Sequence, residues 1–139
     1  MKALKISIVV ALVLLSVQGW SGDYNNLFAV FPVGPVHLSL NGLISALEGA
    51  GALEVFHAVL GILLLAVSVL IVILSLRTGV KSLSIPSILS LAAIASAVAG
   101  GLLFVFSGFT NNDFSAQMGG SFIGAYAFFF IELYFTRGL

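Results

Sequence analysis

Leu43 to Leu76 reads LISALEGAGALEVFHAVLGILLLAVSVLIVILSL, and its length decides the fold. At 1.5 Å per residue one helix over it would reach about 50 Å, against a bilayer hydrocarbon core of about 30 Å. The stretch therefore divides or protrudes. Gly49-Ala50-Gly51 is the natural break, because glycine weakens a helix interior. The expected products are an interfacial helix or extension over Leu43 to Glu54 and a membrane span over about 55–76. At the mouth of that span lie Glu54 and His57, at i and i+3 on one helix face and able to touch.

Working outward, composition sets the class. The chain is 139 residues long, 60% hydrophobic and 7% charged, with mean hydropathy +1.23. A soluble domain carries about 25% charged residues. This chain lacks the polar surface to face water all round, and its solvent is expected to be the lipid bilayer. The spacing of apolar runs predicts one membrane domain over 1–139. A formal net charge of zero gives no basis for a nucleic-acid partner. The absence of cysteine excludes disulfides, thiolate metal sites and thiol catalysis within the chain.

Before the central stretch, Met1 to Trp20 reads as a basic start followed by an apolar run. It fits two descriptions, a cleaved secretory signal or a retained span over about 3–20. The retained span is preferred, with Trp20 and Tyr24 in the headgroup belt. Ser21 to Gly42 contains Asp23, Asn25, Asn26, Pro32, Gly34, Pro35, Asn41 and Gly42, and is expected to be the longest non-helical stretch. Its apolar Leu27 to Phe31 argues that it packs on the membrane surface or on the helices. Together 21–54 make an outer loop and an interfacial helix. After the central stretch, Arg77 to Ser82 forms a short basic turn, and Ser84 with Pro86 marks a helix start, where proline's missing N–H costs nothing. Spans are expected over about 85–106 and 117–135. The fold class is all-α, a four-transmembrane-helix bundle with an extended outer segment before the second span.

The charges set the expected threading. With four spans, Lys2, Lys5, Arg77, Lys81 and Arg137 all fall on one side, which the positive-inside rule makes cytoplasmic. Both termini are then cytoplasmic in a multi-pass protein of the cell membrane. The other side holds Asp23, Glu48, Glu54 and Asp113. Glu132 falls near the inner end and is expected to meet Arg137, Arg77 or Lys81, or to reach water.

Lipid is as apolar as leucine, so close packing through small residues has to hold the helices together. Ala93, Ala97 and Gly101 on the third span and Ala116, Gly120 and Gly124 on the fourth form two such stripes, expected to cross closely. A homodimer seam is the alternative. Ser68, Ser90 and Ser96 can return their hydroxyls to the preceding helical turn.

The residues able to carry chemistry are few. His57 lies about 28 Å above the inner end of its helix, at the outer rim, level with Asp113. The preferred reading makes Glu54, His57 and Asp113 a cluster that tethers the outer segment to the helices. A ligand role for His57, toward haem or quinone, would draw on His37, Met118 or a second copy. Glu-x-x-His is the metal-binding unit of ferritin-like bundles, but those need a second such motif. No phosphate loop, dinucleotide fingerprint, catalytic triad or zinc spacing is present. No resident cofactor or metal and no enzymatic activity are expected.

His57-Ala-Val-Leu-Gly61, the Arg77-x-Gly79 turn and Ser107-Gly-Phe-Thr-Asn-Asn-Asp113-Phe-Ser115 before a glycine-bearing last helix resemble small four-helix membrane proteins of prokaryotes that carry no assigned activity. The resemblance covers about Leu43 to Phe135 and implies no catalytic residues. His-x-x-x-Gly on a helix is also similar to haem-handling four-helix membrane proteins such as haem A synthase halves and b-type cytochromes. That similarity implies haem at His57, although those proteins use paired histidines. The expected role is an accessory or assembly subunit of a larger membrane complex, partnered by other membrane subunits or by itself. The alternatives are a haem- or quinone-contacting redox subunit using His57 and a small homo-oligomeric pore or transporter.

Overall fold

The computed structural model describes residues 1–138, and these are all-helical. The elements are α1 (Lys2–Phe28), α2 (Leu40–Ala50), α3 (Ala52–Arg77), α4 (Lys81–Phe106) and α5 (Asn112–Phe135), followed by a short 3₁₀ turn, Thr136–Gly138. Of these, α1, α3, α4 and α5 are each long and apolar enough to cross a membrane.

The four long helices pack in a ring, α1 on α3, α3 on α4, α4 on α5 and α5 back on α1, with α4–α5 the most extensive interface. Neighbours run antiparallel. One end of the ring therefore gathers the start of α1, the α3–α4 turn and the end of α5, and holds all five basic residues. The core runs down the middle through Ile8, Leu64, Ile71, Leu83, Ala125 and Phe129, all essentially solvent-inaccessible. Outward, each long helix presents large apolar side chains: Val13, Ile62, Ile85 and Ile123 are each more than half exposed. Water would disfavour such a surface, and lipid suits it.

Gly51 divides the long central stretch. Its φ of 109° is closed to residues with a Cβ. Its N–H satisfies the end of α2, bonding to Leu47 and Glu48 carbonyls, while its own carbonyl accepts the N–H groups of Glu54 and Val55 to start α3. The preceding helix runs over Leu40–Ala50, not Leu43 to Glu54. Ser39 caps it, its side chain accepting the Gly42 N–H at 3.0 Å.

Three helices begin or end about a turn or more beyond the spans expected from sequence. The first continues through Ser21 to Phe28, so the non-helical segment shrinks to 29–39. The reason is that the polar residues there do not face water. Ser21 is 0% and Asn25 5% exposed, and both bond to α3. The second exception is α4, which starts at Lys81, leaving Pro86 inside the helix. The third is α5, which starts at Asn112, with the Asn111 side chain accepting the Asp113 N–H at 3.0 Å.

The α4–α5 turn anchors the 29–39 segment. At the end of α4 the Phe109 N–H bonds to the Phe104 carbonyl and the Gly108 N–H to the Val105 carbonyl, the Schellman pattern. Gly108 has φ 69°, and the Gly34 carbonyl oxygen lies where a Cβ would stand. Phe31 stacks on Phe109 at 4.8 Å and meets Phe104 edge-on at 5.6 Å, closing a satellite core that includes Ala46 of α2. The segment and α2 thus pack over the end of the ring opposite the basic residues.

Candidate functional site

At that second end, the last turns of α1 meet the first turns of α3. Gln18, Ser21, Gly22 and Asn25 recur at i, i+3, i+4 and i+7, which is one helix face. Glu54, His57 and Gly61 occupy one face of α3 in the same way. The two faces mate. An added Cβ on Gly22 would stand 3.0 Å from the His57 ring, and one on Gly61 would stand 3.5 Å from the Gln18 amide. Two glycines therefore make room for two polar side chains.

Hydrogen bonding fixes the ring's tautomer. The Gln18 amide nitrogen can only donate, so His57 Nε2 accepts from it at 2.9 Å. Nδ1 then carries the ring hydrogen and donates to Ser21 Oγ at 2.8 Å. Ser21 in turn donates to the Gln18 backbone carbonyl at 3.0 Å. His57 is a neutral clamp between α1 and α3, with both ring nitrogens occupied. One turn earlier Glu54, 9% exposed, accepts a hydrogen bond from Asn25 Nδ2 at 2.6 Å. Glu54 and His57 do not bond to each other; each reaches across to α1.

Beside these groups lies a cavity of about 270 Å³. Its polar wall is Gln18, Asn25, Glu54 and His57, with Ser115 of α5; the rest is mostly apolar, with Phe31, Phe104, Phe122 and Met118. Asp23 and Asn26, both exposed, lie at its rim. Gln18 Oε1 is buried here with no hydrogen-bond partner among the described residues.

The expected cluster of Glu54, His57 and Asp113 is thus regrouped. Asp113 is exposed on the first turn of α5, and it is absent from the lining of the cavity. Gln18, Ser21 and Asn25 of α1 take its place. The tether that results joins helix to helix, not loop to helix. His37 is exposed and likewise absent from the cavity lining. Among the described residues, no three histidine, cysteine or acidic side chains gather in a metal-holding group.

The small-residue stripes are divided between contact and open face. Ala93 meets Gly124, where an added Cβ would stand 3.9 Å away, and a Cβ added to Gly101 would stand 3.3 Å from Met118 Sδ. Ala97 lines the cavity. Ala116 and Gly120 are exposed, and no atom lies within 4 Å of an added Cβ on Gly120. Among the glycines of α4 and α5, Gly100 lies closest to the facing helix, where a Cβ would stand 3.1 Å from the Phe114 carbonyl oxygen. Ser96 does not fold back on its own helix as expected. It receives hydrogen bonds from Gln117 Nε2 at 3.2 Å and Ser121 Oγ at 3.0 Å, joining α4 to α5. Ser68 and Ser90 do return to Leu64 and Pro86 carbonyls.

At the basic end Glu132 departs most from expectation. It is 0% exposed, and the hydroxyl of Ser75 on α3 donates to its Oε1 across the middle of the ring. Its Oε2 is buried without a hydrogen-bond partner among the described residues. Its partner is a serine on the helix diagonally across the ring, not Arg77, Lys81, Arg137 or water.

Comparison with protein-family models, curated proteins and solved structures finds no match to this chain.

Proposed function

We propose that the chain is a four-span protein of the cell membrane, a single domain with both ends cytoplasmic, that serves as an accessory or assembly subunit of a larger membrane complex. The observation that carries this reading is the use made of His57. It is the one histidine in a long helix, and both of its nitrogens are bonded to α1. It therefore acts as a clamp that shapes the outer end of the helix ring. The distribution of charge supports the orientation, since every basic residue lies at one end. The 29–39 segment and α2 then stand on the outer side. They present Val30, Val33, Leu38 and Leu40, each more than two-thirds exposed, to lipid, to other subunits or to a second copy.

The resemblance to haem-handling membrane proteins meets a geometric obstacle. An axial ligand needs a free ring nitrogen, and His57 offers none without breaking a bond to Gln18 or Ser21. Purification in mild detergent followed by native mass spectrometry and absorption spectroscopy tests the proposal. A stoichiometric membrane partner or a defined self-assembly, with no Soret band, is expected. A solitary monomer would sink the subunit reading, and a Soret band lost on His57→Ala would replace it with the haem reading.

A further inference from the structure

We propose that the cavity between α1, α3, α4 and α5 binds a lipophilic cation, an alkyl- or arylammonium group that carries at least one N–H. The charge inventory leads there. Glu54 is 9% exposed, and its hydrogen-bond partner, Asn25, is neutral. A buried carboxylate is costly unless it is paired. The chain cannot supply the pair, because all five basic residues lie at the opposite end of the ring. His57 cannot supply it either, since the hydrogen-bond triangle with Gln18 and Ser21 holds its ring neutral.

The walls suit the same ligand. Phe31, Phe104 and Phe122 line the cavity with aromatic rings, a side-chain type that attracts cations, and Met118 adds a polarisable thioether. The volume of about 270 Å³ is at the small end of the range for ligand pockets and fits one ring or a short chain with its head group. Gln18 Oε1, buried and unpartnered, is an acceptor awaiting an N–H donor. At the rim stands Asp23, and Glu48 and Asp113 are exposed at the same end of the molecule. An end with four acids and no lysine or arginine draws cations toward the opening.

This inference goes beyond the accessory role and requires no partner protein. Three probes with one body and three head charges test it on the unaltered chain in zwitterionic nanodiscs: 4-phenylbutylamine, 4-phenylbutanol and 4-phenylbutyrate. Heats measured on empty nanodiscs are subtracted to remove partition into lipid. The ammonium is expected to bind about tenfold or more tighter than the alcohol, the difference that one charge-assisted hydrogen bond supplies. The carboxylate is expected not to bind. Glu54→Gln is expected to bring the ammonium down to the affinity of the alcohol, whereas Glu132→Gln, at the far end, leaves the ranking unchanged. Equal binding of ammonium and alcohol to the unaltered chain, or no saturable ammonium binding, overturns the proposal and leaves the subunit reading standing. Should Glu54→Gln fail to fold, the ranking of the three probes on the unaltered chain decides alone.

Discussion

His57 holds α1 to α3 through bonds of 2.9 Å to Gln18 and 2.8 Å to Ser21. Replacing it with alanine removes both bonds and leaves a buried amide and hydroxyl without that partner. Interhelical hydrogen bonds in membranes are individually modest, and unmade ones add desolvation. His57→Ala is therefore expected to lower stability by about 1–3 kcal/mol, read as thermal unfolding in detergent. The basic end gives a second residue-scale test. Ser75→Ala deprives the buried Glu132 of its donor and is expected to cost about 1–3 kcal/mol. Glu132→Gln keeps an acceptor for Ser75 and removes the charge, so stability should hold or rise. A larger loss from Glu132→Gln than from Ser75→Ala would mean that the charge itself is matched in the folded protein. At this scale the sequence made Glu54 and His57 visible but not their partners. Ser21 and Asn25 are residue types that favour helix ends and turns, Gln18 is an ordinary helix former, and only α3 beside them turns that face into a bonding surface.

Among the elements, α4 and α5 offer the sharpest contrast. Gly100 is buried with the Phe114 carbonyl against it, whereas Gly120 faces open space. Gly100→Leu is expected to separate the two helices and lower the melting temperature by several degrees or prevent folding, as overpacking costs about 1–3 kcal/mol or more. Gly120→Leu should leave the monomer's stability unchanged. If Gly120→Leu instead alters the oligomeric state in detergent, the open face of α5 is a seam between copies. The break at Gly51 was legible because no bilayer accommodates the whole of Leu43 to Leu76 as one upright span. Helix ends were less so. Hydropathy falls before the helix does, and buried polar side chains prolong α1 well past Trp20. The small-residue stripes showed where backbones could approach but not which faces do. That choice rests on Gln117 and Ser121 reaching Ser96 and on Phe114 lying over Gly100.

For the molecule as a whole, two features set the threading: four long apolar helices and the gathering of Lys2, Lys5, Arg77, Lys81 and Arg137 at one end. Both were readable before any coordinates, since four antiparallel spans bring the start of the first, the turn between the second and third and the end of the fourth to one side. The cavity was not readable. It needs the faces of four helices and the 29–39 segment in register, and no window of sequence contains them. In the proposed threading this end of the molecule, with its cavity and its polar clamp, faces outward across the membrane from the basic end. The chain has no cysteine, so single cysteines report their own surroundings. Asn41→Cys and Asn112→Cys, both exposed at the cavity end, should react with a membrane-impermeant maleimide in intact cells, while Lys81→Cys and Arg137→Cys should react only after the cells are opened. The reverse pattern, or labelling of both pairs from the same side, would contradict the account.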